Sequence, residues 1–258
     1  VVILREFPLQ TGQLFRTEDA LDGMTNITAL NLFHQVSFLI QDENRDPAVV
    51  IRVEERPSQV LQISTLIDDE RYAQLALELR DMNLFGTGTE LSGLFFGGFE
   101  NRRYAMRYNT NRMWYTNLGM TLEAYYDLRD FNGYREKADL PFNRFAREID
   151  LRLRRILYGA QATLGLYTGR FGNVTGNLTI EQQQLKTVQQ LTATASTLEE
   201  AQRVVSFGVG TTIDTKDRYP YPRKGMFLHI AYTSAQAALG SEVTFSRVKA
   251  DSPVYLSS

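Results

Sequence analysis

The sequence predicts a mainly β fold: a transmembrane antiparallel up-and-down β-barrel of about ten strands, preceded by a small α+β unit. Three observations carry this prediction. From Ser58 onward the hydropathy pattern has a period of two and keeps it. Its longest run covers about fifteen residues, where soluble strands have a mode of about five or six. Tight connectors alternate unevenly with longer polar ones, as in membrane barrels.

Composition narrows the alternatives. The 258 residues carry 28 Lys and Arg against 30 Asp and Glu, a net charge of −2, with 43% hydrophobic residues and no Cys. A near-neutral chain has no basic field to hold a nucleic-acid backbone, and this apolar content is not a disordered composition. The absence of Cys removes disulfides, thiolate metal sites and cysteine nucleophiles. The longest apolar runs, as at 1–4 and 94–96, are about five residues, far short of the ~20 of a spanning helix. Alternating strands cross a bilayer at low mean hydropathy, here −0.28. The chain opens at Val1 without Met or a signal-like core, which reads as a mature product or a fragment.

The first unit covers residues 1–57. Leu21, Met24, Ile27, Leu30 and Phe33 recur every third residue, an apolar helical stripe that Thr17 and Asp19 would cap. Two β-rich runs follow, 36–40 and 48–53, joined by turn-forming residues 42–47 into a hairpin. The unit ends at Pro57.

The barrel covers 58–258. Ala73, Leu75, Leu77 and Leu79 alternate with Gln74, Ala76, Glu78 and Arg80, and Leu91, Phe95 and Phe99 follow. Trp114, Leu118, Met120, Leu122, Ala124, Tyr126 and Leu128 form one apolar face. The strands are read at 58–67, 71–82, 88–99, 103–113, 116–130, 145–157, 160–171, 202–213, 225–236 and 241–250. Residues 68–70, 83–88 and Gly159 are tight turns, whereas 131–144 and 172–201 are longer loops. The Gln/Thr-rich stretch 181–196 reads as a solvated outer loop or linker.

The run 145–157 suggests which face meets lipid. With its odd face outward, Arg147 and Arg155 lie eight residues apart, about 26 Å along the strand, or roughly 20 Å of height when tilted. Both then fall near the edges of an apolar band about 25 Å tall, with Ile149, Leu151 and Leu153 between them. Glu148, Asp150, Arg152 and Arg154 then line a polar lumen. Phe99, Tyr104, Tyr126, Phe145 and Tyr158 near strand ends suit membrane interfaces. The Arg-rich stretch 101–112 reads as a solvated or lumenal strand face. A soluble ligand-binding β-barrel is the contrary reading of the same alternation.

Three passages resemble one family. The apolar helix, the step from Phe33 to Val36, the hairpin and Ile51-Arg52-Val53-Glu54-Glu55-Arg56-Pro57 resemble the end of a POTRA domain, the periplasmic module of the outer-membrane assembly-factor (BamA-type, bacterial surface antigen) superfamily. Asn83-Leu84-Phe85-Gly86-Thr87-Gly88 resembles the turn after that family's second barrel strand. The segment 214–225, Asp214-Thr215-Lys216-Asp217 through Pro222 to Gly225, resembles its D-x-x-D…P-x-x-G mid-barrel turn. In the POTRA-like passage Asn31 stands near a position where the family commonly has Gly, and Asn can adopt the left-handed conformation.

The resemblance implies a fragment with an incomplete POTRA-like domain at 1–57 in the periplasm. At 58–258 it implies about ten of the family's sixteen strands in the bacterial outer membrane. It implies a non-enzymatic barrel that inserts or translocates other proteins, templating client strands at the seam by β-augmentation. The seam strand would be Val60, Leu61, Gln62, Ile63 and Ser64, and a second edge would be Val36, Ser37, Phe38, Leu39 and Ile40. The implied partners are the lipid bilayer, unfolded outer-membrane client proteins and accessory lipoproteins, with no nucleic acid. The alternative within the superfamily is the barrel-and-POTRA anchor or export module of a patatin-like lipase. A G-x-S-x-G hydrolase domain upstream would mark it.

No catalytic, cofactor or metal site is expected from the sequence. There is no G-x-S-x-G elbow, and Leu91 stands where a dinucleotide fingerprint needs its third Gly. Asp42-x-Asn44-x-Asp46 starts like a calcium loop, but Pro47 and Val53 occupy its turn and bidentate positions. His34 and His229 lack partners at ligand spacing and read as packed or interfacial. The N-x-T sequons at Asn26, Asn173 and Asn177 carry no implication in a bacterial outer membrane.

Overall fold

A computed structural model describes residues 2–9, 11–43, 46–68, 72–113, 116–136, 147–167, 172–191, 198–217 and 221–255. Trp114, Phe145 and residues 137–144 of the expected 131–144 loop lie outside them, while residues 131–136 of that loop are strand.

The N-terminal unit consists of α1 (Val2–Glu6), α2 (Thr17–Ala29) and an antiparallel hairpin of β1 (Phe33–Glu43) and β2 (Asp46–Glu55). The hairpin stands as predicted; α1 is too short to show a helical period in the sequence. In α2 the buried positions are Ala20, Gly23 and Ile27, while Leu21 is 52% exposed. The expected stripe fails at its ends because a strict spacing of three falls short of the 3.6-residue turn and drifts around the helix. Its last member, Phe33, opens β1 instead. Gly23 lets the Phe7 ring approach, since a Cβ there would stand 2.4 Å from ring atom Cδ2. The expected caps also fail: Arg16 is the cap residue, with no side-chain cap bond, and Glu18 and Asp19 sit in the first turn, where the helix dipole favours acids. Asn31 leaves the helix at φ 58, the left-handed conformation expected of it. Val2, Phe7, Ala20, Ile27, Leu32 and Phe33 form the buried core, with Met82 packed against it.

Ten strands follow in one sheet: β3 (Gln59–Asp68), β4 (Tyr72–Asp81), β5 (Thr89–Gly98), β6 (Asn101–Thr110), β7 (Leu118–Glu136), β8 (Arg147–Tyr167), β9 (Gly172–Gln190), β10 (Glu199–Asp214), β11 (Gly225–Ala235) and β12 (Phe245–Asp251). A two-residue β13 (Val254–Tyr255) also pairs with β11. Each of the ten pairs antiparallel with its sequence neighbours, an up-and-down order running from β3 to β12. Among the described residues β3 and β12 do not pair with each other.

The count of ten holds through two opposite corrections. The runs at 145–157 and 160–171 are one strand, β8, and Gly159 lies in its middle rather than in a turn. The expected loop across 172–201, Gln/Thr-rich at 181–196, is strand from Gly172 through Gln190 and again from Glu199; residues 192–197 lie outside the described set. Ladder pairing overrode both turn signals. Gly159 pairs with Tyr125 and Glu181, and Gln182, Gln183 and Gln184 pair with β8 and β10 alike.

The register sorts side chains onto two faces. Leu77, Phe95, Tyr104, Tyr126 and Tyr158 fall in one row across β4 to β8. On β7 this face carries Leu118 to Leu128 at even positions, on β8 Ile156 to Leu166, and on β9 Val174, Leu178 and Ile180. The opposite face carries Arg107, Glu123, Gln161 and Thr179 in one row, and it is concave. Its side chains reach over a strand to the next but one, as Gln74 of β4 does to Asn101 of β6.

This reverses the expected orientation of β8. Leu151, Leu153, Arg155 and Leu157 belong to the concave polar face, and Arg152 and Arg154 to the outer one. The charged alternation at 147–155 lies beyond the apolar band, where Leu151 and Leu153 on the concave face alternate with Arg152 and Arg154 on the outer one. The band on β8 begins at Ile156, and a strand boundary drawn at Gly159 conceals it. A bulge at Asp150 opposite Gly133 and Tyr134 also shifts the phase. On β4, β5 and β7 the expected apolar face is the outer face.

The outer face is not a core. Among the described residues of this sheet only Val205 and Ala235 are buried apolar residues, while Leu61, Leu79, Met106, Leu164 and Ile180 are each about half exposed or more. A convex apolar belt of this kind needs an apolar solvent, as the outward band of a membrane barrel has. Among the described residues no helix is long and apolar enough to cross a membrane, which says nothing of strands.

Candidate functional site: a sheet edge, a polar face and a clamped junction

Strand β3 ends the sheet. Val60, Gln62 and Ser64 pair with Arg80, Glu78 and Ala76 on the polar face, while Leu61 and Ile63 pair with Leu79 and Leu77 on the outer face. Among the described residues its other edge has no strand partner; the backbone N–H and C=O groups along such an edge are those an added strand pairs with. The second predicted edge, β1, pairs Val36 with Val53, Phe38 with Ile51 and Ile40 with Val49, with Ser37 and Leu39 between them. Its far edge likewise has no strand partner among the described residues. The two edges belong to separate sheets.

The concave face is a network that sequence reasoning did not resolve. Glu123 accepts from Arg107 at 2.7 and 3.0 Å and from Arg103 at 3.4 Å. Tyr125 donates to Glu181 across Gly159, and the Arg103 guanidinium lies 5.6 Å from the Tyr125 ring centre. Gly159 is required for this bridge, since a Cβ there would stand 2.5 Å from the Ile180 carbonyl oxygen. Glu90, Arg107, Asn109, Thr121, Glu123 and Gln161 line a polar recess of about 310 Å³. The signal available in the sequence was the aromatic–Gly pairing, legible only once the register is known. His229 meets the Thr212 hydroxyl through Nδ1 at 3.0 Å. Among the described residues no group of three or more His, Cys, Asp or Glu could hold a metal.

Both motif turns lie at the same end of the sheet as the N-terminal unit. In 83–88 the Asn83 side chain accepts the Gly88 N–H at 2.8 Å, and Gly86 and Gly88 take φ of +72 and +68. In the 215–224 connection Asp217 accepts the N–H groups of Arg223 and Lys224 at 2.9 and 3.1 Å. Gly225 is held at φ +112 with no room for a Cβ beside the Thr215 carbonyl. The N-terminal unit is fixed to this end by Glu6, a buried carboxylate paired with Arg5 at 3.0 Å and with Arg112 at 3.0 Å. Arg5 also donates to the Thr87 carbonyl at 3.3 Å.

An up-and-down sheet with a lipid-compatible outer face, a charged concave face and an α+β unit clamped to one rim defines a membrane β-barrel with an appended module. The chain belongs to the Omp85 superfamily: residues 83–257 match the model described as the Omp85 superfamily domain. Solved structures that share its fold include three from this superfamily's relatives in bacteria. The crystal structure of BamA from Haemophilus ducreyi lacking POTRA domains 1-3 aligns over 97% of this chain and 48% of its own, at TM-score 0.72 and 14% identity. CdiB from Escherichia coli aligns over 97% and 47%, at 0.60 and 14%. CdiB from Acinetobacter baumannii aligns over 96% and 43%, at 0.56 and 13%. The chain thus spans about half the length of these relatives or less. No curated protein matches its sequence.

Proposed function

We propose that the chain is part of an outer-membrane barrel that inserts or translocates other proteins, with residues 58–258 in the bilayer and residues 1–57 a POTRA-like module in the periplasm. Superfamily membership supports the class. The observation that carries the mechanism is the place of β3 as the first strand of the sheet, with its outer edge unpaired among the described residues. A client strand in a bilayer has backbone donors and acceptors that lipid cannot satisfy. An edge presenting Val60, Leu61, Gln62, Ile63 and Ser64 in extended register satisfies them one for one by β-augmentation. Leu61 and Ile63 keep the added strand in phase with the lipid, and Gln62 and Ser64 with the polar interior. The free edge of Val36, Ser37, Phe38, Leu39 and Ile40 offers the same pairing earlier, in water. Unfolded outer-membrane proteins are the clients, and accessory lipoproteins are further partners.

The test is site-specific photocrosslinking in the full-length protein, with the crosslinker at Gln62 or Ser64 and a urea-unfolded outer-membrane barrel chain as client. Adducts at these positions and not at Gln161, in mid-sheet, are expected. Protein that still promotes client insertion yet gives no adduct at either position overturns the seam mechanism.

A further inference from the structure

The outer face holds a recess as well as a belt. Small residues at Gly93 and Ala124 leave a groove of about 780 Å³ between larger neighbours, among them Leu79, Met106, Tyr104 and Tyr126. Gly93 is not needed for backbone reasons there: its φ is ordinary, and a Cβ would meet nothing within 4 Å. The Phe95 and Tyr104 rings stack beside the groove at 5.2 Å, and Tyr104 and Tyr126 at 6.4 Å.

One cation stands at its mouth. Arg102 is two residues from Tyr104 on the same strand and face, about 7 Å along the chain, and is exposed. Among its neighbours Arg103 and Arg107 are committed to Glu123 on the other face, Arg154 to Asp130 at 2.7 Å and Arg152 to Glu100, while Arg129 lies on the concave face. Among the described residues Arg102 makes no ion pair, and the residue beside it in the ladder on its own face is Leu128. It lies toward the rim away from the N-terminal unit, just past the last ring of the belt on β6, at headgroup depth.

We propose that this is a binding site for one anionic, phosphate-bearing membrane lipid, with an acyl chain laid over Gly93 and Ala124 and the phosphate on Arg102. An unpaired guanidinium at the membrane interface presents a donor fork matched to phosphate oxygens. The groove below it is filled in a bilayer by hydrocarbon, and the rigid rings on its walls hold one chain longer than a smooth belt does. The proposal rests on the reading of the outer face as membrane-facing.

The test is electron paramagnetic resonance of the protein in phosphatidylcholine vesicles, with chain-labelled phosphatidylglycerol or phosphatidylcholine as probe. The motionally restricted component is expected to favour phosphatidylglycerol about fivefold, the effect of one basic side chain near an anionic headgroup. Arg102→Gln should bring the ratio to about one while Arg102→Lys keeps most of it. Gly93→Leu should reduce the restricted fraction for both lipids, and Ala124→Leu replaces it should the first variant not fold. An unchanged ratio in folded Arg102→Gln, or an unchanged restricted fraction in folded Gly93→Leu, overturns the proposal and leaves the membrane reading intact. Failure of the protein to insert at all overturns both.

Discussion

The two parts of the chain use similar apolar residues in opposite ways. In the N-terminal unit Ile27 is fully buried, packed in one core with Phe7, Leu32 and Phe33. In the sheet Ile180, chemically the same residue, is 50% exposed, and Leu178 and Leu164 on the same face are 46% and 48% exposed. The first arrangement is what water imposes on a small domain. The second is stable only where the surroundings are themselves apolar, so the contrast locates the membrane from side-chain burial alone.

The largest expected effect tests that contrast directly. Ile27→Ala should cost the N-terminal unit about 2–5 kcal/mol, the usual penalty for emptying a packed site, seen as a lowered urea midpoint. Ile180→Ala leaves no cavity, because lipid closes over the missing methyls, and should cost clearly less in a bilayer-embedded sample. Equal losses at the two positions would mean that the sheet has a core of its own.

Next in size is a charge placed on the belt. Leu122 lies midway along the outer row of β7, and Leu166 at its N-terminal-unit edge on β8. Arginine should cost about 2–4 kcal/mol at Leu122 and about 0–1 kcal/mol at Leu166, following depth in the bilayer. Unfolding midpoints in lipid of the two variants give the comparison; a soluble sheet would show no such gradient.

A smaller effect concerns the wall itself. Gly159→Ala forces a Cβ against the Ile180 carbonyl and displaces the Tyr125 bridge to Glu181; overpacking of this kind costs about 1–3 kcal/mol. Gly165→Ala, on the same face of the same strand, meets only an ordinary contact of 3.7 Å to the Thr175 methyl and should be near neutral. A heat-induced mobility shift on gels ranks the two.

These positions also show what could be read in advance. The outer rows of β4 and β7 were legible because each is an apolar series uninterrupted by Gly within one belt height, and that of β5 because Leu91 and Phe95 stay in phase around Gly93. β8 was not, since Gly is the strongest turn signal in a sequence and nothing local distinguishes a turn from a strand residue crossed by a tyrosine. The Gln-rich part of β9 resembled a loop for a related reason. Above the belt both faces meet water, so alternation vanishes while ladder pairing continues, with Gln182 opposite Tyr158 and Arg203. The edge residues Val60 to Ser64 fell on the terminal strand because the proline-ended first unit fixed where the sheet begins. The Glu123 network and the Glu6 clamp were invisible, because each joins residues whose proximity only the register or the docking creates.

The smallest effect separates the two regions at the joint between them. Asn83 caps the turn that leads from β4 into β5, and its side-chain oxygen holds the Gly88 N–H directly beneath Val2 of α1. Asn83→Ala removes one neutral hydrogen bond, about 0.5–1.5 kcal/mol, from a turn that Gly86 and Gly88 still shape. The sheet has eight further hairpins between its strands and should keep its unfolding midpoint. Among the described residues the N-terminal unit rests on the 87–88 backbone beside this turn, on the Glu6 pairs and on Met82, so its docking should loosen first. Hydrogen exchange that rises in α1 while β5 stays protected is the expected pattern, and equal loss in both would show that the turn serves the sheet rather than the joint.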